Sequence, residues 1–516
     1  MLLVILGNTN YLNKSNIMKS LLLLVTLFSA CSVFSQIKTA EKRIEIELKD
    51  GFRNERVYEF DENGFVIASK SEKSETDEIQ FRYQRYSTDL VFLDEKYASV
   101  PVGYQEIINY VDEDFVYTLF MDRLGKIFIN QFNAKTADIR STIGDLNGNR
   151  GIKFLRAYKD HVVIIYVNKK GWFMYNLNLT SGEGNIKPII IEGAKPNRIE
   201  VKNIQFVLET ESFYISMNGI ISKKIKCFLG QYNLNSEEVG MRTIDQDTDK
   251  NFISTSIAAL DKKDIIISGT YANRYSTFST GIYITTTIDE ELQSPNFYNY
   301  VDLDNFLSYL PESKQQRIEN KKERLEDKGK GLEISYNIAM HNIVRCNEDY
   351  LFIGEAYYPT YTTELKTKMV NGVPTNTTQM VFDGYQYTHA VIAKFNKKGE
   401  LLWSQCFKLN PNEKPKYVER YIRIAGQKQN SIKLVYAIGS QIFGKEFDFD
   451  GNVISEETAE INGLSENDDV RSSNSKIVYW YDQYFLTYGY QRIKNITDID
   501  TKRNRQVIFV NKIKFE

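Results

Sequence analysis

One short pattern recurs along this chain. A run of apolar residues closes on an aromatic or aliphatic side chain, then comes Asn or Asp, a tight turn, and a further apolar run. It stands at Phe132-Asn133, Leu177-Asn178, Tyr232-Asn233, Ile288-Asp289, Phe395-Asn396 and Phe447-Asp448, and at Phe60-Asp61 near the start. Asn, Asp and Gly tolerate the positive φ of tight turns, and the flanking runs read as strands, so each mark reads as a hairpin. Successive marks from 132 to 288 lie 45, 55 and 56 residues apart, and 395 to 447 is 52. A period of roughly 40–50 residues with several strands per unit predicts an all-β fold, a β-propeller, here of six to eight blades. A pair of β-sandwiches explains the strands but not the period. The first copy, Val57–Ser69, reads as lacking the strands before its turn. Ring closure pairs terminal strands in one blade, so Val507–Phe515 is expected to share a sheet with N-terminal strands.

Composition agrees. The chain of 516 residues has 34 Tyr, 30 Phe and 3 Trp but only 9 Pro, which favours strands. Lys and Arg number 65 against 67 Asp and Glu, a net charge of −2, which argues against a nucleic-acid binder with a general basic face. Beyond Cys31, the cysteines Cys227, Cys346 and Cys406 lie in or beside apolar stretches. So few, without CxxC spacing, they read as buried thiols and not as a disulfide framework, metal ligands or a nucleophile.

The N-terminal region reads as an export signal. Met18-Lys19-Ser20 precedes the apolar run Leu21–Phe28, and Val33 and Ser35 place small side chains before Gln36. Residues 1–35 are therefore expected to be a signal peptide, with Met18 as the true start, and 36–516 a single propeller domain. The apolar run falls short of the roughly 20 residues that span a bilayer. Phe28-Ser29-Ala30-Cys31 resembles a lipobox, although Leu27 comes one residue early. The expected location is periplasmic or extracellular, with a lipoprotein anchored through Cys31 as the alternative.

Two segments, about 299–332 and 355–389, break the repeat. In the first, Pro311-Glu312-Ser313 and Gly329-Lys330-Gly331 bracket a charged stretch whose few apolar residues, Ile318 and Leu325, predict a solvated helix. The second reads as a long projecting hairpin and supplies the candidate ligand-binding residues: Glu355, Tyr358, Tyr361, Asp383, Tyr385, Tyr387 and His389. Tyrosine offers flat contact area with a polar tip, which suits sugars and peptides. Strand alternation puts Tyr385 and Tyr387 on one face with His389 beside them. The same alternation equally describes a packed stripe.

The segment Leu351-Phe-Ile-Gly-Glu-Ala-Tyr-Tyr-Pro359, followed by Phe382-Asp-Gly-Tyr-Gln-Tyr-Thr-His389 and Ala390 through Trp403, resembles uncharacterised secreted bacterial proteins with propeller-like repeats. The resemblance implies the same architecture and brings no catalytic residues with it.

Chemical motifs are sparse. Asp245-Gln-Asp247-Thr-Asp249 and Asp145-Leu-Asn147-Gly-Asn149 imitate calcium-loop spacing, but the twelfth positions are Ser256 and Arg156 where a Glu is needed. They read as turns, and no metal or cofactor is expected. His161, His341 and His389 show no ligand spacing. The expected function is an exported, non-catalytic propeller that binds a glycan, peptide or protein, and no nucleic acid, through loops on one face. The alternative is a secreted polysaccharide hydrolase or lyase of propeller type. Two carboxyls facing each other across a pocket would mark the hydrolase.

Overall fold

Each repeat forms an antiparallel meander, because a β-branched and aromatic run ends at a turn that reverses it. The computed structural model describes residues 37–48, 51–71, 78–148, 151–244, 250–273, 276–370, 373–409, 411, 413–425, 431–495, 497 and 503–515. The expected signal segment, with Met18 and Cys31, lies outside the described residues, as do Asp245, Asp247 and Asp249.

Among the described residues there are eight sheets, six of four strands and two of five. They are the blades of a β-propeller. Blade 1 runs from Phe52–Glu59 to Phe92–Pro101. Blades 2 to 7 occupy 105–145, 151–188, 199–243, 251–299, 337–408 and 423–460, and blade 8 occupies 469–515. In blades 2 to 7 the recurring Asn or Asp sits in the turn between the third and fourth main strands. In blades 2, 3, 4, 6 and 7 its side-chain oxygen accepts amides two to four residues on, as Asn133 does from Lys135 and Thr136 and Asp448 from Asp450 and Asn452, whereas in blade 5 the Asp289 amide donates to Asp264.

The Phe60-Asp61 mark is different. It forms a single 3-10 turn, Asp61–Asn63, between the first and second strands of blade 1. That blade therefore lacks nothing, and the expectation of an incomplete first copy is corrected: a similar turn at another position in the meander carried the same residues.

Closure occurs as expected. The strand Ile37–Glu47 pairs antiparallel with Asn504–Phe515, Ile44 opposite Val510, and completes blade 8 as its fourth strand. Apolar side chains gather in eight clusters, each between neighbouring blades; the one at the seam joins Phe65 and Ile67 to Trp480, Leu486 and Val510. All three tryptophans donate the indole N–H to a carbonyl of the next blade: Trp172 to Ile199 (2.7 Å), Trp403 to Phe449 (2.8 Å) and Trp480 to Gly64 (3.1 Å). Burial of the ring and satisfaction of its one donor thus staple blade to blade.

The helix Glu312–Glu326 buries no residue, as its composition predicts. Cys227, Cys346 and Cys406 are buried and form no disulfide among the described residues. No helix among the described residues is long and apolar enough to cross a membrane.

Candidate functional site

The first strands of blades 2 to 5 lie one against the next, as do those of blades 7 and 8, along a central channel. In blades 1 to 5 and 8 this inner strand carries a β-bulge, as between Ile152 and Phe154 or Val201 and Asn203. A bulge re-aims the side chains that follow it. At one end the channel opens into a cavity of about 1090 Å³, walled by inner strands of blades 3 to 8 and by the loop that leads into blade 7.

The charge of this mouth departs from the balance of the whole chain. Arg156, Lys202, Lys414, Arg420, Arg423 and Lys476 line it, against the carboxylates of Glu413 and Glu419. Three of the lysines are neutralised: Lys202 by Glu200 (2.7 Å), Lys414 by Asp383 (2.6 Å) and Lys476 by Glu419 (3.4 Å). Arg156 and Arg420 form no ion pair among the described residues. Partly buried Arg156 donates to the Leu155 carbonyl (2.8 Å) and lies over the Tyr110 ring. Burial lowers its pKa, and the positive charge of Arg420 lowers it further. Arg420 keeps much of its surface open to the channel and donates Nε–H to the Met340 carbonyl (2.6 Å). Desolvation by the surrounding protein lowers its pKa too, Glu355 opposes the fall, and Arg423 adds to it. A guanidinium partly withdrawn from water with a like charge nearby, as Arg156 is, is costly unless an anion joins it.

Behind the arginines stands a carboxylate that water does not reach. Glu355 is fully buried in the second strand of blade 6. It accepts the backbone amides of Tyr421 (3.0 Å) and Ile422 (2.9 Å), which hold the 413–425 segment against the blade. Its Oε1 also accepts from His341 Nε2 at 2.6 Å. The carboxylate thereby makes Nε2 the protonated nitrogen and leaves Nδ1 as the base. His341 lines the cavity, and its Nδ1 has no hydrogen-bond partner among the described residues.

The seven residues expected to form a ligand surface are not brought together. Glu355 serves the channel mouth, as above. Tyr387 is buried in the core between blades 6 and 7; its hydroxyl donates to the Glu419 carbonyl and accepts the Glu419 amide, both at 2.7 Å. Tyr385 is partly buried against Tyr357 and Phe382. Tyr358 and Tyr361 are exposed, Tyr358 along a shallow cleft of about 390 Å³. Asp383 is engaged by Lys414, whose ammonium lowers its pKa.

His389 does not share the face of Tyr385 and Tyr387, and that expectation is corrected. Ala356 pairs with His389 but Tyr357 with Tyr387, so Thr388 is an extra residue, a bulge that turns the histidine to the other side. There His389 is fully buried, face to face with Tyr309 at 3.8 Å and edge-on to Phe306 and Tyr336. Desolvation pushes its pKa down to about 3. The insertion before blade 6 thus packs one histidine of the hairpin. A second bulge at Asp383 and the positive φ of Gly384 bend the hairpin base onto the 413–425 loop. A Cβ at 384 would collide with the Lys414 carbonyl.

Sequence reading did not single out Arg156, Arg420 or His341 for the site. A signal was present in part. Arg156 and Asn203 lie 47 residues apart, Arg156 two residues past the inner-strand bulge of blade 3 and Asn203 at that of blade 4, and their side chains meet at 3.5 Å. The carboxylates that line the cavity among the described residues, Glu413 and Glu419, occupy one loop and not opposite walls. Asp145 uses its Oδ1 to accept the Asn147 amide (2.6 Å), a turn contact as expected.

No protein-family model matches the chain, and no curated protein matches its sequence. Among solved structures it is similar to the polysaccharide lyase Uly1, with 9% identity, a TM-score of 0.37, and coverage of 93% of this chain and 100% of that one. It is similar to the β-propeller domain of the Trilobed protease from Pyrococcus furiosus, with 9% identity, a TM-score of 0.35, and coverage of 77% and 99%. An uncharacterized protein from Listeria monocytogenes EGD-e aligns at 8% identity and a TM-score of 0.34, covering 78% and 96%.

Proposed function

We propose that this protein is an exported β-propeller whose channel mouth binds an anionic ligand, an acidic glycan or an acidic peptide segment. The observation that carries the reading is Arg156, partly buried in the same cavity of about 1090 Å³ as Arg420, with neither in ion-pair contact with a carboxylate among the described residues. An anion in the mouth would supply the missing counter-charge and take charge-assisted hydrogen bonds from both guanidinium groups. Export is supported by the order of charged, apolar and small residues over 18–35, with processing before Gln36 or lipidation at Cys31 as the two routes.

The test is calorimetric titration of the purified protein with oligogalacturonate and oligoglutamate, each beside a neutral counterpart, at low and high salt. Acidic ligands should bind at least about tenfold more tightly than neutral ones, with affinity falling as salt rises. Equal affinity for neutral oligomers, or none for either acid, overturns the reading.

A further inference from the structure

Binding does not account for His341. An anion-binding mouth needs cations, yet this one also holds an imidazole whose Nε2–H is fixed at 2.6 Å on a fully buried carboxylate. Glu355 is in turn locked by two backbone amides. This is the arrangement that orients a base: the buried acid sets the tautomer and steadies the imidazolium once a proton is taken. The free Nδ1 belongs to a residue that lines the same cavity as Arg156 and Arg420.

We propose that His341 is a general base and that the channel mouth cleaves polyuronate glycans by elimination. The proposal rests on the anion-binding reading. The two arginines would hold the uronate carboxylate, and their charge would stabilise the negative charge that grows on it as the neighbouring carbon loses its proton. Nδ1 of His341 takes that proton. The electron pair of the broken C–H bond becomes a double bond to the next ring carbon. The glycosidic C–O bond on that carbon breaks, and its oxygen leaves with the bonding electrons and is protonated from solvent. His341 returns its proton to solvent, so no water is consumed and nothing is oxidised. Hydrolysis fits these residues less well, because it calls for two carboxyls flanking the bond, and Glu355 is enclosed.

The experiment incubates the protein with polygalacturonate, alginate, hyaluronan and chondroitin sulfate. It follows the ultraviolet absorbance of the unsaturated uronate, and binding of each polymer is measured in parallel. At least one polymer that binds should give the unsaturated product. His341→Gln should lower that rate by about 10²–10⁴-fold while the melting temperature and the affinity stay near wild type. Glu355 is a positioning residue: Glu355→Gln should lower the rate and displace the pH–rate profile, and Glu355→Asp should restore part of both. If polymers bind but none gives unsaturated product, or if His341→Gln cleaves like wild type, elimination through His341 is overturned and the binding reading stands. A protein that neither binds nor cleaves any of the four overturns the elimination, and if it also fails to bind oligoglutamate the binding reading falls with it.

Discussion

Arginines gather at two places in this ring, the closing seam and the channel mouth, and their partners differ. At the seam Arg505 grips Asp468 with both terminal nitrogens, at 2.9 and 2.5 Å, and reaches Glu45 of the N-terminal strand at 2.9 Å. Arg43 holds the other oxygen of Glu45 at 2.8 Å and reaches Gln491 and Asn511. These four charged side chains are nearly inaccessible, and every one has an opposite charge at hand. In the mouth Arg156 has the Leu155 carbonyl, the Asn203 side chain and the Tyr110 ring, Arg420 has the Met340 carbonyl, and neither is in ion-pair contact with a carboxylate among the described residues. The contrast separates two uses of one side chain. A charge that has been desolvated and paired secures the fold, whereas one that is desolvated and unpaired is open to an anion from outside.

Breaking the seam should have the largest effect. Arg505→Met leaves Asp468 buried without its counter-charge and should cost about 3–5 kcal/mol, read by urea denaturation. The same network sets an acid limit. Burial alone would raise the Asp468 carboxyl, but the hydrogen bonds from Arg505, the Ser465 amide and Asn495 outweigh it and hold the pKa down to about 2. A carboxyl depressed on folding stabilises above its unfolded value of 3.8, and that contribution is lost as pH falls through about 2. The wild-type protein should therefore lose stability between about pH 4 and pH 2 more steeply than Arg505→Met. A variant as stable as wild type would mean that the seam is held by apolar contacts alone.

A smaller effect is expected where hairpin and mouth meet. Tyr387→Phe removes both hydrogen bonds to Glu419 without opening a cavity and should cost about 1–3 kcal/mol. Because those bonds anchor the loop that carries Arg420, anion affinity should fall with it. Tyr358→Ala with Tyr361→Ala, both exposed, should change stability by no more than about 0.5 kcal/mol and leave affinity as it was. Loss of binding in that double variant would return the ligand surface to the outer hairpin.

Much of the fold was legible in the chain because its turns are local. Asn133, Asn178, Asn233, Asn396 and Asp448 hold amides only a few residues away, so sequence spacing reports them directly. Closure was legible for a related reason, since Val507–Phe515 needed a partner strand. The site was not legible in the same way. Glu355 sits on the second strand of blade 6 and His341 just past the end of the first, but Arg156 and Arg420 are 264 positions apart and share a wall only because eight blades close into a ring. The concentration of tyrosines in 355–389 drew the reading outward, while the bulges at Asp383 and Thr388, invisible to a strict alternation of two, sent Tyr387 and His389 to opposite sides. Glu355 was singled out from that segment, and it belongs to the mouth.

The central claim is that the mouth arginines serve a ligand and the seam arginines serve the fold. It is tested most directly by measuring melting temperature and affinity for an acidic oligomer on the same preparation of the double variant Arg156→Gln with Arg420→Gln. The melting temperature should hold or rise, because two cations that repel each other have been removed. Affinity should fall by about 10–100-fold, as expected for loss of two charge-assisted contacts. A melting temperature that drops as far as that of Arg505→Met, with affinity unchanged, would contradict the account.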